Sequence, residues 1–548
     1  MRPRALPGAA RYVATMSSVD ELAATYADLV CETFPIRATF LGRHEQDHRL
    51  GEHTAALIEG FGARVRGLRT ALARTGDDGL DARALDAALA TELLEVDTEQ
   101  QWRRNPDVLV DNTLSGCATL LLRDTAPLDD RLGALRDRLA AIPAYLESAR
   151  RTWSDVPRFW SQAGAETSRD GAVFLRDDLP DALAGASPAI ARSVCEAAAR
   201  GADAFDALAD HLVELPDGGS WMAGEAAVSA RLRVQHQLAD GPARIAARGE
   251  ALVAETIAEL EELDPNWRDL IAREKARHPE VGELLSRYVD EMERARVFVE
   301  EHGIAGATPT PLDVRASPRF WADLVPYAAY DAPGYFQPDA PGVFWVTVPD
   351  GDDAPERLPG HAVPSIVLTV VHEGYPGHHL QLTRANRAGL VAALVDSPLL
   401  AEGWAFYCEE MLGEVGYYGD DPVLRAFQLK DQLWRAVRVV VDIGLHCGEL
   451  DVDAAVDQLV RVADLERPSA VAEVRRYTSS PTYQICYAIG KQEILTLREQ
   501  CRATDQGFSL GAFHDELLSY GTLPVPMIAS AMLASREPTG PGRSESPQ

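Results

Sequence analysis

The stretch Val371-His372-Glu373-Gly374-Tyr375-Pro376-Gly377-His378-His379-Leu380-Gln381 decides how the rest of the chain is read. A His-Glu pair followed one turn later by a second His is the signature of a zinc-protease helix: two imidazoles bind the metal and the carboxylate activates water. Here the place of the second ligand, position 376, holds proline. On an unbroken helix of ~3.6 residues per turn, positions 372 and 378 lie about 240° apart, on different faces. Position 379 falls within about 20° of 372 but roughly 10 Å further along the axis. Pro376 has no N–H to offer the 372 carbonyl, and its ring clashes there. Gly377 adds conformational freedom. The helix is therefore expected to bulge or break at Pro376-Gly377, and a bulge swings His378 back beside His372. The plain alternative is a surface helix end with an ordinary run of histidines. Three His and a Glu within eight residues, in a chain with only 13 His, weigh against it.

A zinc site needs a third protein ligand, often a carboxylate on a following helix. Ser397-Pro398-Leu399-Leu400-Ala401-Glu402-Gly403-Trp404-Ala405-Phe406-Tyr407 offers Glu402. Ser397 reads as the N-cap of that helix and Pro398 as its first residue. Ser365, after Pro364, reads in the same way as the cap of the helix that enters the motif. Burying a carboxylate unpaired among Leu, Trp and Phe is costly, so Glu402 needs either a metal ion or an arginine. Glu409 and Glu410 are expected behind the ligands or in solvent. Arg438, Asp442 and His446 recur every four residues on one helical face. That spacing fits a buried polar network behind the metal, an anchor for a substrate carboxylate, or a plain salt bridge.

Outward from the motif, the 548 residues suffice for about two to four domains. Residues 16–300 read as helix after helix, with leucines at 132, 135 and 139 marking one apolar face. No fixed-period repeat is present. Prolines crowd the stretch from about 303 to 360, where Val343-Phe344-Trp345-Val346-Thr347-Val348 is the best strand. A small β element is expected near 341–349, set into a mainly α chain whose region 301–535 carries the motif. By resemblance to zinc peptidases, in which an edge strand near the motif binds an extended substrate, this strand is expected to do the same. Residues 1–15 read as a flexible extension and 536–548 as a disordered tail. With 53 Lys and Arg against 84 Asp and Glu, the net charge of −31 argues against nucleic acid and anionic lipid as partners. No apolar run is long enough to span a membrane. Seven scattered cysteines and the lack of an apolar signal-peptide core in Met1–Ala14 point to the cytoplasm.

His372-Glu373-Gly374-Tyr375-Pro376-Gly377-His378-His379 and Glu402-Gly403-Trp404-Ala405 resemble the two hallmarks of the bacterial family catalogued as domain of unknown function 885, HExxPGHH and a downstream Glu-Gly-Trp-Ala. The likeness extends from about Ser18 to about Leu533 and takes in Arg37–Asp47. That family in turn resembles the helical gluzincin peptidases. The resemblance implies a large helical metallopeptidase-like fold with Zn2+ held by His372, His378 and Glu402. The Gly377-His378 alignment favours His378 over His379. It also implies Glu373 as general base and Tyr487, or Tyr477, as hydrogen-bond donor to the developing oxyanion. Pro481-Thr482-Tyr483 departs from the family's Pro-Gly-Gln element. The expected activity is a zinc-dependent hydrolase of short peptides. The alternatives are a zinc hydrolase of a non-peptide amide or ester, and a helical interaction protein without catalysis.

Overall fold

In the computed structural model, residues 18–308, 310–318, 327–349, 351, 354–395 and 397–536 are described. The extension expected over residues 1–15, and all but Arg536 of the expected tail, lie outside them. The Ser18 side chain accepts from the Glu21 amide and so caps the first helix, Val19–Thr33. Helix then follows helix and makes up 71 % of the structure. Four helices, Pro106–Leu122, Leu128–Thr152, Arg158–Val173 and Pro188–Glu214, enclose one core around Leu132, Leu135, Leu139 and Phe205. The leucines meet there because they share one helical face. A second core surrounds the long helix Pro422–Cys447, with Trp267, Leu433, Val441 and Tyr477. The largest core joins Leu22, Tyr26 and Leu85 to Tyr288, Phe344, Val370, Trp404 and Leu517. Apolar packing thus runs without a break across residue 300. All seven cysteines are free.

The β element is a three-stranded sheet of β1 (Leu312–Ala316), β2 (Ala328–Asp331) and β3 (Gly342–Val346), in the order β1-β3-β2. β3 runs parallel to β1 and antiparallel to β2, with Phe344 opposite both Val314 and Tyr330. Every residue of β3 is buried, as its unbroken apolar run requires of a strand covered on both faces. β3 is the central strand, so its backbone groups are committed on both sides. The expectation that a substrate adds to it does not stand.

Four histidines away from the motif are buried with lowered pKa values: His236 at about 3, and His361, His446 and His514 at about 4. Burial is the main cause in each, since it disfavours the charged ring. The unfolded chain takes up these protons near the ordinary value of ~6.5; the folded chain resists until about 4 or below. Their contribution to stability is therefore present above pH 6.5 and is lost as pH falls toward 4. Asp442 works the other way. Burial raises it to about 7, so its contribution is present at low pH and is lost as pH rises through 7. Four groups outweigh one, and the melting temperature should fall steadily from pH 6.5 to pH 4.5. Calorimetry across that window checks this; a flat profile refutes the neutral burial of these rings.

Candidate metal centre

The motif helix, Val363–Glu373, ends at Gly374, and the next helix runs His378–Ala385. The break spans Gly374–Gly377 and contains the Pro376-Gly377 pair. Ser365 does not cap the motif helix. Ala362 holds that position and Pro364 sits in the first turn, where a missing N–H costs nothing. At Gly377 a Cβ atom would lie 1.8 Å from the His372 carbonyl oxygen, so only glycine lets the chain fold back onto the helix end. The indole of Trp404 donates to the Pro376 carbonyl oxygen at 2.8 Å and ties the break to the glutamate helix, Pro398–Glu414.

This fold-back brings His378 beside His372. One donor atom each from His372, His378 and Glu402 lies within 4.8 Å of the others. Glu402 Oε2 is 3.5 Å from His378 Nε2 and 3.9 Å from His372 Nε2. A tetrahedral zinc ion with bonds of ~2.0–2.2 Å keeps its donors about 3.3–3.6 Å apart, so the three residues fit a divalent ion after small movements. The groups behind them fit as well. His372 Nδ1 meets Glu409 Oε1 at 2.7 Å, which fixes the ring and leaves Nε2 to face the metal position. The Tyr483 hydroxyl donates to Glu402 Oε1 at 2.5 Å and leaves Oε2 toward the imidazoles. Burial opposes charge on Glu402, but hydrogen bonding and attraction from His378, with help from His372 and Tyr483, bring it down to about 2. Burial likewise opposes charge on His378, and Glu402, Glu373 and Glu409 outweigh it to raise its pKa.

Glu373 follows His372 at the helix end and is half-buried. His379 is turned away from the cluster. It is fully buried, with Nδ1 at 3.0 Å from the Tyr330 hydroxyl and Nε2 at 3.2 Å from the Thr310 carbonyl oxygen. With both nitrogens occupied, it fastens the sheet to the motif. The Tyr487 ring lies nearly parallel to that of His372, centroids 6.4 Å apart, and Arg438 sits 5.0 Å from its centre. Among the described residues its hydroxyl has no hydrogen-bond partner. Tyr477 is buried and committed: it accepts from Arg438 Nε at 2.8 Å and donates to Glu473.

Arg438, Asp442 and His446 form no chain among themselves; the closest approach of His446 to Asp442 is 3.8 Å. Each instead holds the segment from Glu473 to Gln484. Arg438 pairs with Glu473 at 2.7 Å, His446 Nε2 meets the Tyr477 carbonyl oxygen at 2.9 Å, and Asp442 accepts from the Thr482 and Gln484 amides. Tyr483 was visible in the sequence only as a departure from the family's pattern. Its spacing of four from Tyr487, at the mouth of the tyrosine helix Cys486–Thr504, was the available signal.

Residues 35–532 match the family described as "Bacterial protein of unknown function (DUF885)". The chain belongs to this family. No curated protein matches it. Among solved structures, this DUF885 chain is similar to a "putative lipoprotein of unknown function" from Shewanella oneidensis (TM-score 0.76, 23 % identity, 94 % of this chain and 100 % of that one). It is also similar to the "putative lipoprotein" from Colwellia psychrerythraea (TM-score 0.80, 17 % identity, 95 % and 100 %). These likenesses show the fold. Both of these proteins are described as putative lipoproteins, and the expectation of a cytoplasmic location does not stand. The sequence argument rested on Met1–Ala14, outside the described residues, and on unpaired thiols, which buried cysteines display in any compartment. No described helix is long and apolar enough to cross a membrane.

The geometry separates the two adjacent histidines. His378→Ala should abolish metal binding, whereas His379→Ala should keep the metal and lower the melting temperature. Metal analysis and calorimetry on both variants check this, and the reverse pattern would refute the ligand assignment.

Proposed function

We propose that the protein is a zinc-dependent hydrolase that cleaves peptide bonds of short peptides, in the manner of the gluzincin peptidases its motif resembles. The convergence of His372, His378 and Glu402 carries this reading, with a carboxylate behind the first and a tyrosine behind the last. A scaffold protein would have no need of a buried donor set of this kind beside an additional carboxylate. Zinc, when bound, supplies a Lewis acid that polarises an amide carbonyl and makes water more acidic. Glu373 takes a proton from the attacking water and returns it to the leaving amine nitrogen. His372 and Glu402 are held in place by Glu409 and Tyr483, so little reorganisation is needed as charge develops. Tyr487, whose ring stacks near that of His372 and whose hydroxyl has no partner among the described residues, supplies a hydrogen bond to the oxyanion.

A cavity of about 490 Å³ lies among the N-terminal helices, with Tyr26, Phe61 and Trp102 in its wall, and reaches Leu394, Arg231 and Ser479. Ser479 and Tyr483 lie four residues apart in the turn between two helices, so the segment that touches Glu402 also borders this space. The volume suits a small ligand rather than a folded chain.

Protein prepared with zinc should hold about one ion per chain, lost to a chelator. His372→Ala and Glu402→Ala should abolish binding. Glu373→Gln should keep the metal and lose about 10²–10⁴-fold in rate on a mixed peptide library read by mass spectrometry. Metal-free protein from a zinc-replete preparation would sink the proposal. Cleavage of esters or acylated metabolites alone would replace the peptide with another acyl substrate.

A further inference from the structure

Two arginines three residues apart on the helix Pro422–Cys447 approach the metal centre, and they differ in one respect. Arg438 is spent on Tyr477 at 2.8 Å and Glu473 at 2.7 Å. Arg435 is not. Its nearest oxygens are the Asp431 carbonyl and carboxylate, both at 3.5 Å, and Glu409 Oε1 at 3.9 Å. Its Nε is buried without a partner. Charge-assisted N–H···O contacts ordinarily close to 2.7–2.9 Å. A buried donor left unmade is costly, and a site that keeps one has a use for it.

The surroundings hold this guanidinium in place without satisfying it. Phe406, Trp434 and Tyr487 present their rings to it at 5.5, 4.9 and 6.0 Å. Such contacts fix the plane through its face and leave the N–H edge for a planar anion. The side chain keeps 13 % of its surface exposed. It also lies close to the reacting centre: Glu409 Oε1 contacts it on one side and His372 Nδ1, at 2.7 Å, on the other. The path through Glu409 and the His372 ring bounds its distance from the metal position at roughly 10 Å, about three extended residues at ~3.3–3.6 Å each, so an anion held here belongs to the end of a short peptide, within a few residues of the cleaved bond. Glu373, Glu402, Glu409 and Asp431 would repel that anion unless a cation received it, and Arg435 keeps a buried donor, Nε, with no partner among the described residues.

We propose that Arg435 is the specificity-determining residue of the site and binds the free C-terminal carboxylate of the substrate, so that the protein prefers short peptides ending in a free acid close to the scissile bond. This rests on the hydrolase reading above. An arginine suits the task because its fork matches both oxygens of a carboxylate. The competing role, a distant counter-charge for Glu409, leaves Glu409 Oε2 unpartnered as well, so neither group satisfies the other.

The test compares one tripeptide library made as free acids with the same library carrying C-terminal amides. Wild-type protein should cut the acids with a kcat/KM at least tenfold higher, chiefly through KM. Arg435→Gln should lose about tenfold or more on the acids, the range for a hydrogen bond to a charged group, and stay within about twofold on the amides. Arg435→Lys, which keeps the charge and guards against a folding defect, should retain part of the preference. Calorimetric binding to the metal-loaded Glu373→Gln variant, which holds peptides uncut, should show the same preference for acids, lost when Arg435→Gln is added. Equal losses on acids and amides, or loss of zinc from Arg435→Gln, would show that Arg435 acts through Glu409 and would overturn the inference. Wild-type protein that cuts acids and amides alike overturns it too, and leaves the hydrolase intact. Wild-type protein that cuts neither while holding zinc overturns the peptide reading and this inference together.

Discussion

A carboxylate buried among Leu399, Leu400, Trp404 and Phe406 sets the terms for this structure. Glu402 is almost wholly buried, and those four neighbours are completely so. A charge in such a place costs several kcal/mol unless both oxygens are met. They are met from three directions. Oε1 receives Tyr483 from the turn before the tyrosine helix. Oε2 faces His372 at the end of one helix and His378 at the start of the next. No single element could supply all three, so the helix break and the turn are conditions for burying this charge.

Backbone contact makes the arrangement tight. A Cβ at Gly490 would lie 2.1 Å from the Leu399 carbonyl oxygen, and one at Gly403 would lie 2.6 Å from the Gly490 carbonyl carbon. The glutamate helix and the tyrosine helix therefore touch main chain to main chain, one residue from Glu402. With side chains between them, the helices would stand further apart, and Tyr483 would fall short of the carboxylate. The same helix holds the break through Trp404 and the Pro376 carbonyl, so residues 402 and 404 position both halves of the centre.

What the sequence disclosed was mostly local in the chain. A proline where an N–H is required predicts a broken helix whatever the fold. A glutamate among large apolar residues predicts a cationic partner without saying which. The leucine spacing at 132, 135 and 139 predicts a buried face. What it did not disclose depended on partners distant in sequence. β3 was legible as a strand but its partners were not, because β1, Leu312-Asp313-Val314-Arg315-Ala316, carries charges at alternate positions and only partly buries. Ser365 had the chemistry of a cap, but Pro364 had already taken the first turn. Tyr483 was passed over for Tyr487 and Tyr477, because only the approach of two helices decides which hydroxyl reaches Glu402. Arg435 was passed over for Arg438, since spacing reveals a shared face but not which side chains on it are already paired.

Ser397 shows how far such coupling extends. By residue type it should cap the glutamate helix, yet its side chain caps nothing there; its hydroxyl meets His236 Nδ1 at 3.1 Å instead. His236 Nε2 meets the Thr482 hydroxyl at 2.9 Å, so one buried ring from the N-terminal region links the start of the glutamate helix to the turn that presents Tyr483. Thr482 holds φ at +67°, a conformation that costs a non-glycine residue about 1 kcal/mol or more. Asp442, accepting from the amides on both sides of Tyr483, offsets that cost. A neutral imidazole has one donor and one acceptor nitrogen, which suits two hydroxyls that can each give or take a proton. Protonated, it would offer two donors in a site already shielded from water. The depressed pKa of His236 and the geometry of Glu402 therefore have a common origin. Both follow from closing the N-terminal helices over the turn, and this is why a metal centre assembled from residues 372 to 402 depends on a chain that begins its packing more than three hundred residues earlier.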